Sequence, residues 1–179
     1  ERCKKLAKLF ENVDTAKVTS PGGTDFTLVL KDRNAMVDDG DFSQPGTGGN
    51  IPAGEVFISP VVGKSNGVIV FDGSMTFSDG DSILNNPIKV NVKDGYIDSV
   101  EGDVEAKRLL KDINWAEKEA LSMEANQTLP KGQGEIYSRN ARNIGELGIG
   151  LNPGACITGN MLEDEKAFHT CHFAVGENY

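Results

Sequence analysis

The chain has 179 residues, of which 38% are hydrophobic, and a net charge of −9 at pH 7. This length suffices for one globular domain, or for one domain and part of another. The negative charge makes nucleic acid and anionic membranes poor partners, and no segment approaches the roughly 18 apolar residues that span a bilayer. With 21 glycines and 7 prolines, the composition favours short strands and turns over a helix bundle.

The chain contains three cysteines, Cys3, Cys156 and Cys171. An odd number without regular spacing argues against a disulfide framework and predicts a reducing compartment, hence a cytoplasmic protein. The chain starts with Glu1 and ends within what reads as a strand and loop. We therefore expect it to be a fragment of a longer protein.

The first half of the chain is predicted to be mostly short strands after one helix. Alternating apolar residues indicate strands, three- and four-residue spacing indicates helices, and Asp-Gly between two alternating runs indicates a hairpin. The predicted elements are a helix over 2–12, strands over 16–20 and 24–32, a polar loop over 33–49, a strand over 55–59, a strand, turn and strand over 67–80, and a hairpin over 86–103.

The second half contains the one long predicted helix, residues 103–125, whose apolar positions follow helical spacing. A strand over 145–151, a short helical turn over 160–168 and a last strand over 169–175 follow. This order predicts an α+β fold with a mainly antiparallel curved sheet or open barrel, one long helix and a short N-terminal helix.

Two predicted strands begin with a glutamate that follows a glycine. Glu55 opens an apolar strand, and Glu146 opens another in which Gly148 and Gly150 share its face. Glycine on a strand face indicates that another group comes close to the backbone there. In the last strand, alternation places His172 among small residues and predicts that His169 points into the core.

Two carboxylates and one imidazole are ligands that suit divalent metal ions. A carboxylate can also bridge two ions about 3.5–4 Å apart. On the pattern alone, the alternative is that Glu55 and Glu146 are solvated carboxylates at strand ends and that His172 is an ordinary packed histidine. In that case the domain is a structural or assembly module.

Three segments resemble the aminopeptidase T and aminopeptidase S family, the thermophilic-type leucyl aminopeptidases, and its archaeal branch in particular. They are "NIPAGEVFISP", "GVIVFDGSM" and "RNIGELGIGLNPGACITGNMLEDEKAFHTCHFAVGENY", and the resemblance runs from about Gly49 to Tyr179. It implies a metal-binding catalytic domain over 49–179, incomplete at its C-terminal end. Residues 1–48 would be a linker or edge elements.

The resemblance implies two divalent ions (Zn, Co, Mn or Mg) held by Glu55, Glu146, His172 and Tyr179. Glu146 is the expected bridging ligand. In the resembling family a His-x-Asp pair beyond this tyrosine completes the site. Glu165 and Tyr179 are the expected catalytic residues, although Glu163 and Glu55 also remain candidates for the general base.

The implied activity is a metal-dependent aminopeptidase, which removes an N-terminal, Leu-type residue from short peptides through a metal-activated water. The fragment itself would lack one wall of the site. The family also implies a homodimer. The alternative is a metal- or peptide-binding domain that derives from such an enzyme and does not catalyse.

Overall fold

The computed structural model describes residues 1–177. These residues form four helices and eleven strands. The helices are α1 (Arg2–Leu9), α2 (Val104–Ala125), α3 (Gln133–Asn140) and α4 (Met161–Asp164). The strands are β1 (Thr15–Thr19), β2 (Asp25–Val29), β3 (Met36–Asp38), β4 (Glu55–Ile58), β5 (Asn66–Phe71), β6 (Ser74–Phe77), β7 (Gly80–Ile83), β8 (Ile88–Lys93), β9 (Tyr96–Glu101), β10 (Ile144–Gly150) and β11 (Cys171–Val175).

The strands of the described part form two antiparallel sheets and a separate hairpin. One sheet has the order β1-β2-β5-β8-β9, the other has the order β11-β10-β4-β3, and β6 pairs with β7. In the second sheet β10 lies between β4 and β11. Strands β4 and β11, which are far apart in sequence, therefore lie on either side of one central strand.

One apolar cluster joins both sheets and the long helix. It includes Phe26 of β2, Ile58 of β4, Leu147 of β10 and Ile113 of α2, all of them buried. Phe173 of β11 packs edge-on against Phe26, with ring centroids 5.5 Å apart. The second sheet thus turns one face to the core and leaves the other free to carry polar side chains, as expected for an antiparallel sheet.

The α+β class and the antiparallel sheets are confirmed, and the described strands do not close into a barrel. Three elements differ from the prediction. Strand β7 (Gly80–Ile83) lies mostly beyond the strand, turn and strand predicted over 67–80, and it pairs with β6. Residues 36–38 form edge strand β3 inside the segment predicted as a loop, because they pair with β4. Residues 133–140 form α3, which packs against α2, although their polar sequence shows no apolar stripe of its own.

The described residues include no helix that is both long and apolar enough to cross a bilayer. Strand β2, from the segment predicted as a linker or edge element, pairs with β5 of the following segment. The division of the chain at residues 48 and 49 remains a prediction.

Candidate metal centre

The strand register brings the predicted ligands onto one face of the second sheet. Gly150 of β10 lies opposite Glu55 of β4, and Gly148 lies opposite His172 of β11. Directly opposite residues of antiparallel strands point to the same face, and Glu146 shares the face of Gly148 by alternation. One face of three adjacent strands therefore carries two carboxylates and one imidazole.

The glycines of β10 leave room for groups that cross this face. A Cβ at Gly148 would lie 2.0 Å from Cε1 and Nε2 of His172, and a Cβ at Gly150 would lie 2.0 Å from the carbonyl oxygen of Ala167. Real Cβ contacts are never that short. The group predicted to approach the backbone is therefore the imidazole at one glycine, and the chain after α4 at the other.

The imidazole of His172 lies between the two predicted carboxylates. Its Nε2 is 3.6 Å from Oε2 of Glu55 and 3.5 Å from Oε1 of Glu146. Two donors that each lie about 2.1 Å from one ion, at octahedral or tetrahedral angles, are about 3.0–3.4 Å apart. The observed separations are close to those of donors that share one ion.

Glu165 joins the cluster from the end of α4. One ligand atom each from Glu55, Glu165 and His172 lie within 4.8 Å of one another. Glu163, the other predicted candidate for the general base in this segment, instead accepts a hydrogen bond from the backbone N–H of Cys156 at 3.1 Å. Glu163 therefore has a local structural partner, whereas Glu165 faces the site.

Lys166 is the residue of the site that the sequence did not reveal. Its side chain is fully buried, and its ammonium donates to Oε1 of Glu55 at 2.8 Å and to Oε2 of Glu165 at 2.9 Å. In the sequence it lies in an acidic stretch, four positions after Leu162. A lysine in such a stretch usually lies on the surface. No pattern in that segment indicates its burial.

Burial and charge have opposite effects on the pKa values of Glu55 and Lys166. Burial raises the pKa of the Glu55 carboxyl above its ordinary value, although the hydrogen bond and charge of Lys166 act against it. Burial alone would lower the pKa of Lys166, but its hydrogen bonds to Glu55 and Glu165, together with the charges of these carboxylates, hold that pKa above its ordinary value. One ammonium therefore does not fully compensate the buried Glu55 carboxylate.

The donor set fits a divalent cation. The cluster contains three carboxylates, Glu55, Glu146 and Glu165, and one ammonium, which pairs with Glu55 and Glu165. With all three carboxylates ionised and the imidazole neutral, two negative charges are uncompensated. Oε2 of Glu55 and Nδ1 of His172 are buried and have no hydrogen-bond partner among the described residues. Since buried polar atoms are normally paired, the orphaned carboxylate oxygen in particular marks a position for a cation.

Two other predicted features have different outcomes. Tyr179, expected as a metal ligand and catalytic residue, lies outside the described residues 1–177. His169, predicted to point into the core, is exposed and has a positive φ of 66°. The prediction failed because β11 begins only at Cys171, so that strand alternation does not extend to residue 169.

Two surface depressions lie away from this cluster. One, of about 550 Å³, is lined by residues 124–131 of the connection between α2 and α3. The other, of about 430 Å³, lies between α1 and residues 33–37. Neither contains a carboxylate or the imidazole of the cluster, so the side-chain cluster is the better candidate site.

Comparison with protein families shows the family of the chain. The model of the family NicX, 2,5-dihydroxypyridine 5,6-dioxygenase, matches residues 1–175. The chain belongs to this family. The comparison with curated proteins returned no significant match.

Two solved structures share the fold. The 2,5-dihydroxypyridine dioxygenase from Pseudomonas putida KT2440 has a TM-score of 0.77 and 21% identity, over 99% of this chain and 48% of that chain. Wild-type AmpT from Thermus thermophilus has a TM-score of 0.65 and 18% identity, over 95% of this chain and 38% of that chain. The chain thus spans about half, or less, of the length of each neighbour.

The predicted aminopeptidase activity is wrong, since the family that matches nearly the whole chain is a dioxygenase family. The correction extends to the enzyme class, because a dioxygenase is an oxidoreductase and not a peptide hydrolase. The resemblance to aminopeptidase T survives at the level of the fold, as the AmpT structure shows. One fold can carry different activities, and two of the three quoted motifs contain strands β4, β10 and β11 of this chain.

Proposed function

We propose that the protein to which this chain belongs is a metal-dependent dioxygenase that opens the ring of a hydroxylated pyridine. The reaction in the family's description adds both atoms of O2 across C5 and C6 of 2,5-dihydroxypyridine and breaks that bond. The match of the family model to residues 1–175 carries this proposal. The donor cluster supports it, because it offers the carboxylate and imidazole ligands that such an enzyme needs.

The proposed ion is one iron(II), held by donors from Glu55, Glu146 and His172. Non-haem iron oxygenases typically use two histidines and one carboxylate and keep open positions. Among the described residues His172 is the one histidine of the cluster. A second imidazole from the rest of the parent protein, such as the predicted His-x-Asp pair, would complete the set. A second metal ion remains a prediction, because the cluster accounts for one.

When bound, the iron would supply the one-electron chemistry through which O2 reacts with an organic ring. The chain's own residues would position the partners. Gly148 lets the imidazole of His172 lie against the sheet, and Gly150 lets the chain after α4 pack there, so that the donors are held at the sheet surface. The opposite face of the same sheet packs on the core, where Leu147 is buried, so that water does not reach the donors through the sheet.

Glu165 is the proposed base for a ring hydroxyl of the substrate. Its side chain is 27% exposed, against 7% for Glu55, and the ammonium of Lys166 binds one of its oxygens. A carboxylate that is fixed at one oxygen and reaches solvent can accept a hydroxyl proton and pass it on. Glu165 thereby keeps a catalytic role as a proposal, in a different reaction from the one first predicted.

The three cysteines are unpaired in the structure. This supports a reducing, cytoplasmic location as part of the proposal. The expected homodimer also remains a prediction.

The test uses the full-length protein, freed of metal and reloaded anaerobically with iron(II). O2 consumption is then followed with 2,5-dihydroxypyridine, and release of nitroaniline is followed with leucine p-nitroanilide. We expect O2 uptake that depends on both iron and the pyridine, and no peptide-type hydrolysis. If protein that holds stoichiometric iron consumes neither the pyridine nor O2, the proposal is overturned.

A further inference from the structure

The ammonium of Lys166 fixes one oxygen of Glu55 and leaves the other free. It donates to Oε1 at 2.8 Å, while Oε2 has no hydrogen-bond partner among the described residues and lies 3.6 Å from Nε2 of His172. The side chain of Lys166 is fully buried. A substrate therefore cannot reach the ammonium without a rearrangement, so this lysine acts on the site through the carboxylates that it holds.

We propose that Lys166 is a positioning residue that makes Glu55 a one-oxygen ligand of the metal. The inference rests on the proposed metal site. By occupying Oε1, the ammonium prevents both oxygens of Glu55 from turning toward the ion, and it leaves further coordination positions open for O2 and substrate. Through its second hydrogen bond, to Oε2 of Glu165 at 2.9 Å, it sets the distance between the two carboxylates as well.

The main chain at Lys166 is held by contacts that do not involve the ammonium. Its carbonyl oxygen accepts from the backbone N–H of Asn152 at 2.9 Å, and its own N–H donates to the carbonyl oxygen of Glu163 at 2.9 Å. The side chain of Asn152 in turn donates to the carbonyl oxygen of Ala53 at 2.8 Å, next to the start of β4. A change of the side chain therefore tests the ammonium rather than the path of the chain.

Lys166 could affect the metal site through its charge alone or by fixing the orientation of Glu55, and the two explanations predict different effects of substitution. A neutral replacement removes a positive charge near the cation and would, by electrostatics alone, tighten metal binding without altering the coordination. An arginine keeps the charge, but its planar fork pairs with both oxygens of a carboxylate. It would therefore withdraw Oε2 of Glu55 from the ion.

The experiment compares wild-type, K166M, K166R and K131M full-length proteins, the last as a control at an exposed lysine. Circular dichroism and thermal unfolding first establish that each variant folds. The metal-free proteins are then titrated anaerobically with cobalt(II), and the visible absorption spectrum and the dissociation constant are recorded. Methionine removes the ammonium from both Glu55 and Glu165, whereas arginine adds volume, so the two variants carry different risks for folding.

We expect wild-type and K131M to bind one cobalt(II) with the same spectrum. In K166M the band positions or intensities change, because Glu55 is free to bind through both oxygens. In K166R the dissociation constant rises about 10- to 100-fold, the range found when partners that orient a ligand are lost.

An unchanged spectrum in K166M together with unchanged affinity in K166R overturns the inference. Wild-type protein that binds no cobalt(II) refutes the metal site itself, and with it the proposed function. The two failures are thus distinguishable.

Discussion

Replacement of Gly148 by alanine tests whether His172 must occupy its observed position. The new Cβ would lie 2.0 Å from Cε1 and Nε2 of the imidazole, whereas ordinary contacts begin near 3.4 Å. The ring must therefore move by about 1.4 Å, the difference between these two distances. Metal sites tolerate deviations of only about 0.2 Å in ligand distances, so the displaced imidazole cannot remain a ligand in its present geometry.

The expected effect of G148A on activity is large and that on stability is small. A displacement of about 1 Å in a catalytic group can cost about 100-fold in rate, and we expect at least that loss in turnover of the hydroxylated pyridine. Alanine gains about 0.5–1 kcal/mol over glycine inside a strand, and overpacking costs about 1–3 kcal/mol. The free energy of unfolding should therefore fall by no more than about 2.5 kcal/mol.

The assay combines iron(II) affinity, O2 uptake and urea unfolding of the full-length protein. G73A is the control, because a Cβ at Gly73 meets no heavy atom within 4 Å and its φ is not in the left-handed region. It should leave all three measurements unchanged. If G148A binds iron and turns over like wild type, His172 does not act from the observed position and the reasoning is refuted.

Three further changes test individual carboxylates. E146Q should weaken iron(II) binding about tenfold or more and leave thermal unfolding nearly unchanged; unchanged affinity would exclude Glu146 as a ligand. D164A should lower the free energy of unfolding by about 1–3 kcal/mol, because this buried carboxylate accepts the backbone N–H of Thr158 at 2.7 Å; a neutral effect in urea unfolding would contradict this role. The backbone N–H of Met161, followed by the Thr76 hydroxyl, lowers the pKa of Asp81 below its ordinary 3.8. A lowered carboxyl pKa stabilises the fold above the unfolded-state pKa, and this contribution disappears as the pH falls through the folded-state pKa. D81N should therefore be less stable than wild type at pH 7, and the difference should shrink below about pH 4; a difference that is constant with pH would contradict it.

The frame of the site could be predicted from the sequence because its strands have strong local signals. The alternation of Glu146, Gly148 and Gly150 against apolar residues predicted a strand over 145–151, and β10 spans Ile144–Gly150. The same alternation placed His172 on the small-residue face, where it approaches both glutamates. These features depend on the two-residue period of a strand, which a sequence shows directly.

The parts that the sequence did not reveal depend on contacts between distant segments. Strand β3 exists because residues 36–38 pair with β4, and Lys166 is buried because it bridges Glu55 and Glu165. Neither pairing leaves a periodic signal in its own segment. The exposure of His169 follows from its positive φ just before β11, which interrupts the alternation on which the prediction relied.

The activity was mispredicted for a related reason. Carboxylates and an imidazole on a glycine-lined sheet are compatible with hydrolysis and with oxygen chemistry alike. Which reaction occurs depends on the ion, the remaining ligands and the substrate pocket. The strand motifs around Glu55 and Glu146 encode the frame and not these determinants.

The most direct test of the central claim follows the fate of both oxygen atoms. Full-length protein loaded with iron(II) is incubated with 2,5-dihydroxypyridine under ¹⁸O₂ in unlabelled water, and the product is analysed by mass spectrometry. The account predicts a ring-opened product that carries two labelled oxygen atoms, with formation abolished by removal of the iron. A product whose new oxygen comes from water, or no product from protein with its iron bound, would contradict the account.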